Sequence, residues 1–182
     1  MQVHDAKPND LGKLKFSAHV LLPKTDKVTQ LAMKAAIDAA VAKGVEKGMW
    51  KLGANGELPE DFKKPIRDGD KELASGKKKD KNADLYEGNL FFNCSSDYKP
   101  AMVDKQQNKI PEDQQRTEVY SGAFYRFEIN FYPYKTKGAI GVAAGLNAIQ
   151  KIADGKRVGG GGSDGGNFGE YNDPDDAEDI AF

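Results

Sequence analysis

Glu118–Tyr134 reads EVYSGAFYRFEINFYPY and holds seven of the chain's seventeen aromatic residues: Tyr120, Phe124, Tyr125, Phe127, Phe131, Tyr132 and Tyr134. At the chain-wide aromatic share of 9 %, about one or two would fall in a window of this length. β-Branched and aromatic residues with no helix-favouring run predict one long strand. Side chains alternate along a strand, so the two faces differ. Val119, Ser121, Ala123, Tyr125, Phe127, Ile129 and Phe131 form a mostly apolar, core-facing side. Glu118, Tyr120, Phe124, Arg126, Glu128, Asn130, Tyr132 and Tyr134 form the other, where aromatics mix with charge. Exposed aromatics beside arginine make a stacking platform for unpaired bases. The competing reading of the same stretch is a strand buried on both sides.

The remaining residues narrow that choice. A length of 182 residues fits one domain with an appendage. No stretch approaches the run of roughly 18 apolar residues needed for a membrane span, and the start, MQVHDAKPND, carries no apolar signal segment. Cys94 is alone, which excludes an internal disulfide and fits a reducing, cytoplasmic setting. The net charge of −1 conceals an asymmetry. All 27 basic residues lie at or before Arg157, together with 21 acids, so the body carries +6 and the remainder −7. A basic body favours a polyanionic partner.

Along the chain, residues 1–12 are polar and read as loosely ordered. Lys13–Leu22 alternates cleanly and predicts a half-buried strand ended by Pro23. Thr25 or Asp26 is placed to cap a helix running to about Lys47, with Met33, Ile37, Val41 and Val45 on one core stripe, widened by Leu31, Ala35 and Ala39. Gly44 and Gly48 weaken and close it. From Trp50 to Glu87 regularity fails, and Gly76–Lys81 (GKKKDK) is a solvated basic run. Strands are expected at Gly88–Cys94, Tyr98–Asp104 and Ala139–Leu146, with a short strand or helical turn over Asn147–Asp154. Lys105–Arg116 reads as a polar loop.

Catalytic chemistry is poorly represented. His4 falls in the loose terminus and His19 on a strand, Cys94 sits on an apolar face, and no Cys/His cluster has zinc spacing. The glycine run lacks phosphate-loop spacing. Asp68 and Asp70 flank Gly69, which reads as a turn ahead of a divalent-ion site. No cofactor or metal is implied.

The last 24 residues, GGGGSDGGNFGEYNDPDDAEDIAF, are rich in Gly and acid and predict a disordered arm over 159–182, with the folded domain at 1–158. Asp175, Asp176, Glu178 and Asp179 precede apolar Ile180 and Phe182. Such an arm has an r.m.s. reach of about 25 Å. It is able to lay acids over a basic groove or to present Phe182 to a partner protein.

Body and tail together resemble bacteriophage-encoded single-stranded DNA-binding proteins with an oligonucleotide/oligosaccharide-binding (OB) barrel. The resemblance rests on HVLLPKTDK leading into the alanine-rich helix, PIRDGD, FFNCSSDYKPAMVD, VYSGAFYRFEINFYPY and KGAIGVAAGLNAIQKIADG. It implies a mainly β, α+β domain with one long helix and an OB-like Greek-key barrel. It also implies sequence-independent binding of single strands during phage replication, recombination and repair, in the cytoplasm of the bacterial host. The acidic tail would then recruit replication or recombination proteins and compete with DNA. From the alternation, Tyr120, Phe124, Tyr132 and Tyr134 are expected to stack bases. Arg126, Lys135 and Lys137 are expected to track phosphates, with Arg67 and Lys99 in support. The alternatives are an annealing factor that also binds duplex DNA, and an adaptor acting through its tail.

Overall fold

The computed structural model describes residues 1–9, 12–76 and 83–158. In chain order these form β1 (Gln2–Pro8), β2 (Leu14–Pro23), α1 (Lys27–Glu46), β3 (Phe62–Lys63), β4 (Arg67–Asp68), α2 (Gly69–Ala74), a 3-10 turn (Ala83–Tyr86), β5 (Asn89–Ser96), β6 (Ala101–Val103), α3 (Glu112–Glu118), β7 (Phe124–Thr136) and β8 (Ala139–Ala153). The expected mainly β fold with one long helix is present, its sheet curled into an OB-like half-barrel. The expected tail, and the basic run from Lys77 on, lie outside the described residues.

β8 is the spine. Along one edge β7 pairs with it antiparallel, from Phe124 opposite Ala153 to Thr136 opposite Ala139. Along the other edge three strands pair with it in parallel: β3 at Ile140–Gly141, β5 at Ala144–Gly145 and β6 at Ala148–Gln150. β5 carries β2 antiparallel on its far side, and β1 closes that edge of the sheet. The parallel pairings give β8 a neighbour on both edges, so it is Val/Ile/Ala-rich with its core side fully buried at Val142, Ala144, Leu146 and Ile149. A register shift at Glu128/Ile129 leaves Asn147 as an extra, exposed residue, a β-bulge that bends the strand. Asn147–Asp154, expected as a separate short element, is therefore mostly the continuation of β8.

Two apolar clusters fill the curl. The larger joins Val3, Ala18, Leu22, Met33, Phe92, Cys94, Met102, Ile110, Val119, Ala144, Leu146 and Ile149. The smaller joins Ala40, Trp50, Phe62 and Val142 beneath the β7–β8 hairpin. Asp26 caps α1 by accepting from the Thr29 amide at 3.0 Å, and Gly48, at φ +65°, follows its last turn. Gly44 has a different reason from the one expected. A Cβ there would stand 2.1 Å from the Trp50 indole, so the glycine makes room for a buried ring.

Four expectations fail, each through a long-range contact. The N-terminus is not loose: β1 pairs with β2, Val3 is fully buried, and His4 donates from Nε2 to the Val119 carbonyl at 2.6 Å. The polar segment before β7 is partly helical, because Pro111 starts α3 and buried Gln115 donates its amide to the Ile110 carbonyl at 3.0 Å. The long strand begins at Phe124, not Glu118, since Gly122 at φ +109° turns the chain just before it. Leu31, Ala35 and Ala39 do not widen the core stripe of α1. They face solvent, with Leu31 70 % exposed, because the sheet contacts only the Met33–Ala40–Gly44 side.

The described parts of the irregular Trp50–Glu87 segment, residues 50–76 and 83–87, are short braces. Asp68 caps α2, and Lys24 Nζ lies 2.6 Å from both Asp68 Oδ1 and Asp70 Oδ2. Hydrogen bonding to that ammonium holds both carboxyls below the usual carboxylate range. The positive charge between the two acids is thus a lysine of this chain. The acids tie α2 to the end of β2, in keeping with the turn expected at Gly69.

Candidate nucleic-acid interface

Alternation along β7 holds from Phe124 to Tyr132. Tyr125, Phe127, Ile129 and Phe131 pack toward the larger core, while Phe124, Arg126, Glu128, Asn130 and Tyr132 are exposed. The apolar face is fixed by burial, and the other follows from the two-residue period. The strand is therefore one-sided. Tyr134 shares the outer face and is half-buried, which pushes its phenol pKa up.

The outer face is continued by small residues. Asn130 stands opposite Gly145, Tyr132 opposite Ala143 and Tyr134 opposite Gly141, and Ser95 of β5 pairs with Gly145. A Cβ on Gly145 would lie 2.5 Å from Asn130 Oδ1, so only glycine lets this side chain lie flat across the sheet. The result is an open polar groove of about 230 Å³ running from Asn130 and Tyr132 across Gly145 to Ser95, Ser96 and Tyr98. Tyr98 is 82 % exposed and Tyr132 38 %. Lys15 of β2 reaches the groove and pairs with Asp97 at 2.6 Å. Exposed aromatics on both sides of a floor without bulk give flat bases two faces to stack on.

The expected residues divide between places. Tyr132 lines the groove. Tyr134, Lys135 and Lys137 lie outside its lining, toward the hairpin turn, where Lys135 and Lys137 are exposed and Lys135 falls on the opposite side of the strand from Tyr132. Arg126 is exposed six residues before Tyr132, about 20 Å away along the strand. Phe124, 64 % exposed, stands a further two residues off, with its ring against Gly155. Tyr120 is not on the strand at all. Its hydroxyl bonds Asp154 at 2.9 Å and Gly155, and its ring lies 4.0 Å beneath the Arg157 guanidinium. Arg67 bonds Glu72 and lies over Phe91, across the sheet on the β4–β5 ladder. Lys99 sits 3.7 Å from Glu112. The tail residues Asp175, Asp176, Glu178, Asp179, Ile180 and Phe182 lie outside the described residues.

Sequence reasoning left out Tyr98, Lys15, Ser95, Ser96 and Asn130 as site residues. Tyr98 had a signal, a single aromatic in the polar run SSDYK. Asn130 already stood on the outer face by alternation. Ser95 and Ser96 had none, because only the β5–β8 pairing brings them beside Gly145.

No group of three or more His, Cys, Asp or Glu able to hold a metal occurs among the described residues. Burial pushes the Cys94 thiol up to about 11, which keeps it protonated and unreactive. No helix among the described residues is long and apolar enough to cross a membrane.

A curled sheet with an aromatic-edged groove on its outer face is the architecture of an OB-like nucleic-acid-binding protein. The chain belongs to the family described as the single-stranded DNA-binding protein of Enterobacter phage Enc34, whose pattern it matches over residues 1–178. It is 32 % identical over 158 residues to protein p50 of Acyrthosiphon pisum secondary endosymbiont phage 1, covering 83 % of this chain and 76 % of that protein. Among solved structures it is similar to the C-terminally truncated Enc34 protein, with a TM-score of 0.64 at 19 % identity, covering 86 % of this chain and 81 % of that one. It is also similar to the Enc34 protein in complex with single-stranded DNA, with a TM-score of 0.62 at 21 % identity over 87 % and 82 % of the two chains. At those identities the likeness is one of fold.

Proposed function

We propose that this protein binds single-stranded DNA without sequence preference and coats it during phage replication, recombination and repair, as a binding protein with no catalytic step. The observation that carries the reading is the groove over Gly145, with exposed Tyr132 on one side and Tyr98 on the other. Each aromatic stacks a base, worth about 1–3 kcal/mol. Asn130, Ser95 and Ser96 offer hydrogen bonds to the backbone or base edges. Arg126, Lys135 and Lys137 track phosphates beyond the groove, with Arg67 and Lys99 as outlying cations.

Residues 1–158 make up the binding domain and 159–182 the acidic arm, which recruits replication or recombination proteins and competes with DNA, in the host cytoplasm. The relative in complex with single-stranded DNA supports the choice of ligand. Anisotropy titration of a labelled oligonucleotide at two salt concentrations tests it. Three phosphate contacts give a log–log salt slope of about −2. Absence of binding at low salt sinks the proposal. Equal affinity for a duplex of the same length converts it to the annealing reading. Replacing Asp175, Asp176 and Asp179 with Asn and Glu178 with Gln should tighten binding, and unchanged affinity removes the competing role of the arm.

A further inference from the structure

Among the described residues, the groove over Gly145 is lined by one cation and one acid, Lys15 and Asp97. The two are already paired, Lys15 Nζ lying 2.6 Å from Asp97 Oδ1. Register explains the pairing. Ser17 stands opposite Ser95 and Phe16 opposite Ser96 on the β2–β5 ladder, so one step further Lys15 comes opposite Asp97, just past the end of β5. Alternation puts both side chains on the face of Ser17 and Ser95, the face that also carries Gly145, Asn130 and Tyr132. The two partners are held unequally. The Lys15 side chain is 22 % exposed, enclosed by the fold over most of its length, whereas Asp97 is 64 % exposed in the bend after β5. The cation is the fixed member of the pair and the acid the replaceable one.

We propose that Lys15 is the phosphate-binding cation of the groove and that Asp97 is its internal competitor, a carboxylate that holds the ammonium in the free protein until a phosphate of the strand displaces it. The inference rests on the single-strand reading above. A carboxylate and a phosphate make the same kind of charge-assisted bond to an ammonium, so the exchange substitutes one acceptor for another and never leaves the lysine bare. Ion pairs open to solvent add little net stability, so releasing Asp97 hardly weakens the fold. Tyr98 follows Asp97 directly in the chain and Tyr132 lines the same groove, so a base stacked on either brings its phosphates to Lys15. The acid opposes binding twice, by occupying Lys15 beforehand and by repelling the phosphate that replaces it. Lys15 also adds a fourth phosphate contact to those of Arg126, Lys135 and Lys137, which steepens the log–log salt slope from about −2 to about −3.

A double-mutant cycle on the full-length chain tests the exchange, by anisotropy titration of a labelled oligothymidylate at several salt concentrations. Lys15→Met keeps the apolar stem and removes the charge. It should weaken binding about tenfold and flatten the salt slope by about 0.7. Asp97→Asn should tighten binding about three- to tenfold with the melting temperature almost unchanged. That gain should be larger with Lys15 present than in the Lys15→Met background, because only there does it free an ammonium. A Lys15→Met variant with unchanged affinity and slope overturns the proposal. An Asp97→Asn variant with unchanged affinity does the same, and so does a gain of equal size in both backgrounds, which would make Asp97 a distant repulsive charge and no competitor. Failure of the unsubstituted chain to bind at low salt removes the single-strand reading and this inference with it, whereas binding by that chain combined with any of the preceding results removes the inference alone.

Discussion

At the amino end of β7, Tyr120 bonds Asp154 and Gly155 through its hydroxyl and lies under Arg157, while Lys151 bridges Glu118 and Asp154 close by. Burial disfavours the Lys151 charge, but hydrogen bonds to Asp154 and Glu118 outweigh it and raise its pKa. At the carboxyl end, Tyr132 faces an open polar groove, with Tyr98 exposed across it. Both ends combine an aromatic with cations. The difference lies in what the groups already touch. An aromatic whose ring and hydroxyl are occupied within the chain braces the fold, whereas one beside a floor of Gly and Ser is available to a ligand. Composition alone does not separate the two.

Substitutions along the strand break or sharpen that contrast. Phe127→Ala, on the inward face between the two ends, should cost about 3 kcal/mol or more of stability in a denaturant titration. A loss as small as that of an exposed residue would mean that β7 is not one-sided. Tyr132→Ala and Tyr98→Ala should each weaken oligonucleotide binding by about 1–3 kcal/mol, five- to more than a hundredfold, with the melting temperature almost unchanged. Tyr120→Phe should do the reverse, losing about 1 kcal/mol of stability with its hydroxyl bonds and leaving affinity intact. If it impairs DNA binding as Tyr132→Ala does, the two ends are not chemically distinct.

Acid should act on the braces and spare the groove. Asp68, Asp70 and Asp154 have folded-state pKa values below their ordinary 3.8, so what they contribute is present above that value and lost as pH falls through the lowered ones. Melting temperature should therefore drop on acidification below about pH 4, and less so in Lys24→Met, where the partner of two of these acids is already gone. Phe124→Ala carries the smallest expected effect on stability, since the ring is 64 % exposed. A measurable loss of affinity there would extend the DNA path the full length of β7.

The elements legible in the sequence were those whose pattern is created by one-sided burial. β2, β7 and α1 each show it, and Asp26 marks the start of the helix as expected. What stayed hidden depends on pairing between distant residues. Nothing in MQVHDAKP announces a strand until β2 offers an edge, and the buried Gln115 finds a partner for its amide only in the Ile110 carbonyl, which the local sequence does not announce. The candidate site shows the same division. Tyr132, Arg126 and Asn130 were readable from alternation, but Tyr98 and Ser95 reach them across β5–β8.

The position of β8 as the spine also governs how the chain emerges during synthesis. Among the described residues, β3, β6 and β7 pair with no named strand except β8. A nascent chain extended only to Gly138 therefore holds a β1–β2–β5–β4 fragment and three strands with nothing to pair with, their apolar faces exposed. The fifteen residues of β8 take about one to three seconds to translate at ordinary elongation rates. Until β8 is available the half-barrel cannot close, and the waiting strand edges are the kind of exposed surface on which nascent chains aggregate.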